Sequence, residues 1–213
     1  MLTLIAISLF VLVVASTWWF GLWSNLITLI NLLLASMLAS SIYEPVADKL
    51  LEVNATFRVL YDFIAVWAVF LVAFFILRGV TDIASGYRLK FDKITELVGR
   101  TILSVWIACV FVCFSFFTLQ MAPLKPNVYA QNVPKAKMGT MPDRMWLAFI
   151  QSRSRGALSA PTAPGLFQEY TLTPHADDAE LDKRVFDPHA NFLPYYAEKR
   201  QEIANNPVLR VAN

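Results

Sequence analysis

Charge is scarce in this chain, and it is absent from two long stretches. No Asp, Glu, Lys or Arg occurs in residues 1–43, and none in residues 101–124. Charged residues make up 16% of the chain and hydrophobic residues 57%, against roughly 45–50% apolar in ordinary globular proteins. The excess is concentrated in the first 121 residues, so a large soluble core does not account for it. The mean hydropathy is +0.51. Cysteine is nearly absent: Cys109 and Cys113 are the two, both in the last apolar run, which excludes a disulfide framework. They sit one helical turn apart and could offer two soft ligands, but two ligands make no metal site, and apolar packing is the expectation for both. Histidine is limited to His175 and His189, both late in the chain, so no Ser/His/Asp or Cys/His nucleophilic set can be drawn. Glycine is sparse and scattered, and no Gly-x-x-x-x-Gly-Lys phosphate loop occurs. A net charge of +2 is too small to argue for a nucleic-acid partner. No enzyme, cofactor or metal centre is expected, and no small-molecule ligand can be named.

What the chain does have is apolar length. About 20 apolar residues cross a hydrocarbon core. The pattern predicts an all-α membrane protein: a domain of residues 1–121 with four transmembrane helices, then an extramembrane, largely irregular and partly helical tail of residues 122–213. The spans fall at about residues 2–19, 22–42, 59–77 and 97–121. The first two are divided at Gly21, where a tight turn is possible, among Trp18, Trp19 and Trp23, which suit an interfacial belt. A cleaved signal peptide would need a basic start, and the first basic residue is Lys49.

Two of the spans carry stripes of small and polar residues. In the second, Asn25, Thr28, Asn31, Ala35 and Ala39 recur three or four apart and share a face. In the fourth, Thr101, Ser104, Ala108, Val112 and Ser115 do the same. Such residues let membrane helices approach closely and hydrogen-bond across. The two stripes could face each other. Helix packing is the favoured reading, and a polar path for a solute is the alternative; no charged residue joins either stripe, which favours packing.

The connectors hold the charge. Residues 44–58 are read as a connector with a short interfacial helix, started by Pro45 and carrying Val46, Leu50 and Val53 on one side. Residues 78–100 form a second charged connector. Arg78 and Asp82, four apart, can pair across one turn, and Arg78 can snorkel to the headgroups. Basic residues set orientation. Arg78, Arg88, Lys90, Lys93 and Arg100 outweigh Lys49 and Arg58 once the tail lysines are discounted, since a long tail translocates largely regardless of its charge. The connector 78–100 is therefore expected in the cytoplasm, with both termini and the tail in the periplasm.

In the tail, residues 141–150 read as an amphipathic helix with Pro142 in its first turn and Met145, Trp146, Phe149 and Ile150 on its apolar side. Arg153, Arg155 and Gly156 end it. A Pro/Ala/Ser linker follows over residues 156–165, then two short helix candidates at 177–186 and 194–203. Trp146, Phe149 and Ile150 are the expected partner-docking residues, because such an apolar face marks an interaction or membrane-surface site.

Four spans, a glycine-marked first turn, a polar-striped second helix and a charged third connector together resemble the colicin V production protein family, in its longer-tailed bacterial form. In that family an Asp-Arg pair followed by spaced glycines leads into the last span. Here Asp92-Lys93 stands at the Asp-Arg place, Glu96 and Arg100 occupy the glycine positions, and Gly99 lies one step away. Residues 117–124, the Phe186-Asp187-Pro188 run and Asn191-Phe192 resemble the family's span exit and tail. The resemblance covers residues 1–124 well and the tail loosely. It implies a multi-pass bacterial inner-membrane protein linked to bacteriocin production or export, and supplies no mechanism. Two classes of function follow: a non-enzymatic scaffold or accessory subunit, with the bilayer and other membrane subunits or further copies of itself as partners, or an export or channel component lined by the polar stripes.

Overall fold

The computed structural model describes residues 2–53, 60–85, 91–122, 142–155 and 192–205. All regular structure among them is helical: α1 (Leu2–Trp18), α2 (Leu22–Val53), α3 (Tyr61–Ala84), α4 (Lys93–Met121), α5 (Pro142–Arg155) and α6 (Phe192–Asn205). The chain divides into two compact units, Met1–Leu119 and Gln120–Asn213.

Three helices, α2, α3 and α4, are long and apolar enough to cross a membrane. α1 is apolar throughout but has 17 residues, about 25 Å of helix, at the lower limit for a crossing. The expected span of residues 2–19 thus ends one residue early, where Phe20 N–H closes a turn on the Thr17 carbonyl at 3.0 Å.

α2 departs most from expectation. The chain does not break into a second helix at Pro45; one helix of 32 residues runs through it. No glycine or turn residue stands between Ile42 and Pro45, and an exposed interior proline removes one backbone bond. Tyr43 and Ala47 are buried on either side of it and hold the helix in place. At about 48 Å the helix outruns a hydrocarbon core of about 30 Å, so its exposed Glu44, Asp48 and Lys49 fall in its final turns.

α2 packs along α3. The core of the first unit is built from small residues where helices meet: Ala35, Ser36, Ala39, Ser40 and Ala47 of α2, Ala65 and Ala73 of α3, and Ser104 and Ala108 of α4 are all buried. Phe70, Phe114 and Phe117 are buried with them, while many other large apolar side chains point outward. Leu4, Ile7, Val11, Val72, Phe75, Ile76, Ile102 and Trp106 are exposed, the arrangement of a bundle whose solvent is lipid. Cys109 lies on that outward face, one to two turns from Ile102, Val105 and Trp106, so it is exposed and not packed as the sequence predicts; Cys113 is half-buried.

The second unit has its own buried residues. Trp146 and Ile150 of α5 and Phe192 and Tyr196 of α6 are buried, and the Trp146 and Phe149 rings lie 5.5 Å apart. α5 starts at Pro142 and α6 has Pro194 in its first turn, positions where proline costs a helix nothing. The expected linker at 156–165 and helix at 177–186 lie outside the described residues.

Candidate functional site: a polar joint between helices

The turn from α1 to α2, residues 19–21, is the centre of the first unit's polar chemistry. α4 presents two opposite charges to it, one helical turn apart. Glu96 Oε1 accepts from the backbone N–H of Leu22 at 2.9 Å, so a carboxylate sits on the N-terminus of α2. The guanidinium of Arg100 lies 5.0 Å from the ring centre of Trp18, so a cation sits at the C-terminus of α1. Both placements suit the helix dipole, each by about 0.3–1 kcal/mol. Glycine makes the approach possible on both sides. A Cβ on Gly21 would stand 2.9 Å from Glu96 Oε1, and one on Gly99 would stand 2.5 Å from Leu22 Cδ1.

Asn25 extends the joint inward. It is 0% exposed, and its Nδ2 donates to Thr17 O at 3.2 Å, to Ser104 Oγ at 3.1 Å and, at the outer limit, to Arg100 O at 3.5 Å. One side chain thereby ties α1, α2 and α4.

α3 joins through Arg78. Its Nη1 donates to Thr28 Oγ1 at 2.8 Å, its Nη2 to Ser24 Oγ at 3.1 Å and its Nε to Asp82 Oδ2 at 3.0 Å. Asn31 Nδ2 donates to Thr81 Oγ1 at 2.8 Å, and Trp23 Nε1 donates to Ser85 Oγ at 2.7 Å. α2 is thus held by α4 on one side and α3 on the other.

The expected stripes are therefore divided. Asn25 meets Ser104, as facing stripes require, but Thr28 and Asn31 turn to α3. Ala35, Ala39, Ala108 and Val112 are buried. Thr101 and Ser115 return their hydroxyls to their own helix, on Leu97 O and Phe111 O. The Arg78–Asp82 pair forms as the spacing predicts. Sequence reasoning missed the rest of the Arg78 fork and the parts of Glu96 and Arg100. The available signal was the pair of glycines, Gly21 and Gly99, flanking charged residues next to a tight turn.

A second polar node lies in the second unit. Gln120 Nε2 donates to Asp143 Oδ2 at 2.9 Å, and Arg200 Nη1 donates to the Gln120 carbonyl. Gln120, Asp143 and Arg200 are all buried. Within this unit the node ties Gln120 to the first turn of α5 and to α6, and Arg200 supplies a donor to a carbonyl that a helix end leaves over. Of the expected docking residues, Trp146 and Ile150 are already covered within the single chain, and Phe149 is half-buried.

Among the described residues, no three His, Cys, Asp or Glu side chains are grouped to hold a metal ion. The joint is chemically a set of hydrogen-bond donors and acceptors, most of them paired across helices. It can fix helices in register, and it brings no nucleophile next to a base. Compared with known proteins, the chain matches no family model, no curated protein and no solved structure.

Proposed function

We propose that this is a non-enzymatic multi-pass protein of the bacterial inner membrane, a scaffold or accessory subunit of an envelope assembly linked to bacteriocin production or export. In this reading α1 is a fourth crossing, the connector at residues 78–100 faces the cytoplasm, and the tail lies in the periplasm. Other membrane subunits or further copies of the chain are its partners. The link to bacteriocins rests on the resemblance to the colicin V production family alone.

The observation that supports a scaffold over a solute path is the use of the stripes. Asn25, Thr28 and Asn31 are committed to Ser104, Arg78 and Thr81 on neighbouring helices. Side chains that hold helices together are not free to hydrate a passing solute. Polar groups in a membrane find partners across helices for the same reason that lipid offers them none.

Purification from native membranes in mild detergent, followed by flux measurements in liposomes, tests the reading. A scaffold gives a complex of fixed stoichiometry and liposomes no leakier than empty ones. Robust flux by the pure protein, abolished by Asn31→Leu, overturns it in favour of a channel component. A phosphatase fusion after Asn213 tests the topology: an active fusion puts the tail in the periplasm, and an inactive one inverts the assignment.

A further inference from the structure

Two buried polar atoms at the joint are left over, and they are of opposite kind. Asn25 Oδ1 is an acceptor without a donor, and Arg100 Nε carries a donor without an acceptor. The Asn25 amide cannot simply be turned to cure this. Its Nδ2 faces the carbonyl oxygens of Thr17 and Arg100, and the reverse orientation would set oxygen against oxygen.

Both side chains touch the last two residues of α1. Asn25 holds the carbonyl of Thr17, and the Arg100 guanidinium covers the ring of Trp18, the next residue. Asn25 also reaches the backbone of Arg100 itself. Yet the two leftover atoms are not bonded to each other. A buried group left unmatched costs about 1–3 kcal/mol, more where it is charged.

We propose that one water molecule bridges Asn25 Oδ1 and Arg100 Nε at the C-terminal end of α1. The chemistry selects the ligand. An anion would satisfy Arg100 and oppose the Asn25 oxygen, and a cation would do the reverse. A neutral molecule that donates and accepts serves both, and water is the smallest that does. Buried waters characteristically make two to four hydrogen bonds to groups of this kind. The bridge completes the joint: α4 then meets the end of α1 through Ser104 and Asn25, through the Trp18 stack, and through the water. The proposal stands on these residues and does not depend on the scaffold reading.

The test uses the full chain in nanodiscs, labelled with 15N in asparagine and arginine, and measures cross-relaxation from water to side-chain N–H groups. Asn25→Ala and Arg100→Lys identify the two resonances by their disappearance. The expected result is a water cross-peak at both Asn25 Nδ2–H and Arg100 Nε–H in the unaltered protein, with the sign of a long-lived bound water. Loss of the Asn25 cross-peak in Arg100→Lys, with the Asn25 resonance still present, supports the bridge. A cross-peak at only one group, or at neither, overturns it. So does a scalar coupling across a direct Arg100 Nε–H to Asn25 Oδ1 bond. The cross-peaks are read in the unaltered protein; if a variant fails to fold, through-bond correlation to the assigned backbone identifies the two resonances and the same outcomes apply.

Discussion

Two parts of the first unit hold α4 in place by different means. Around the α1–α2 turn, α4 is joined by hydrogen bonds and by charges on helix ends: Glu96 on Leu22, Asn25 on Ser104, Arg100 on Trp18. Further along, α3 and α4 meet through rings. Trp67 lies 5.6 Å from Phe70, 6.2 Å from Phe111 and 5.8 Å from Phe114, and Phe70 lies 4.8 Å from Phe114. The aromatic layer is non-directional. It even leaves the Trp67 indole N–H buried without an oxygen partner. The polar joint is directional, with a defined donor and acceptor at each meeting point. The difference teaches a division of labour: rings supply contact area with neighbours that can repack, while the joint specifies which residue meets which.

Substitutions can break or sharpen that contrast. The largest effect is expected from Ser104→Leu. Ser104 is 0% exposed at a helix contact and accepts from Asn25, so the change both overfills the contact and removes the amide's side-chain acceptor. A loss of about 3 kcal/mol is expected, at the upper end of overpacking costs, read as a lowered melting temperature in detergent. Ala35→Leu acts by the first mechanism alone and should cost less. If both melt like a change at exposed Leu12, the buried stripes do not determine helix packing.

Glu96→Ala comes next. It removes the acceptor from the N-terminus of α2, and loss of a cap costs about 1 kcal/mol. Glu96→Gln keeps an oxygen for Leu22 N–H and should recover more than half of the loss; equal destabilisation by both would assign the effect to charge alone.

Phe74→Leu belongs to the aromatic side of the comparison. Phe74 stacks on Phe70 at 5.9 Å, and a hydrophobic swap in a repackable layer should cost under about 1.5 kcal/mol. A cost above that of Ser104→Leu would reverse the proposed division. Asp82→Asn should be the mildest. Its pair with Arg78 is half exposed, and exposed pairs of this spacing contribute about 0.3–0.5 kcal/mol. Arg78 keeps Ser24 and Thr28 in the variant.

The sequence makes some of this legible and hides the rest for physical reasons. Apolar runs without charge mark α2, α3 and α4 because lipid admits little else. The spacing of Asn25, Thr28 and Asn31 marks a shared face, but the face of one helix does not say which neighbour it meets, and here it meets two. Pro45 reads equally well as the start of a helix and as an exposed interior position; only the burial of Tyr43 and Ala47 decides. Glu96 and Arg100 look like connector charges because their partners, a backbone N–H and a ring, lie 74 residues and more away in sequence. The Gln120–Asp143–Arg200 node joins positions up to 80 residues apart and leaves no local pattern at all. The apolar face of α5 was plain from its period, whereas the covering of Trp146 and Ile150 by the chain itself was not.

The most direct test of the joint is a double-mutant cycle between Asn25 and Ser104 in the full chain. Asn25→Ala, Ser104→Ala and the double variant are compared with the unaltered protein by reversible unfolding in detergent. The account predicts a coupling of about 0.6–1.7 kcal/mol, the range for hydrogen bonds between membrane helices. The second substitution should then cost little once the first is made. Strict additivity would contradict the claim that this pair fixes α4 on α2.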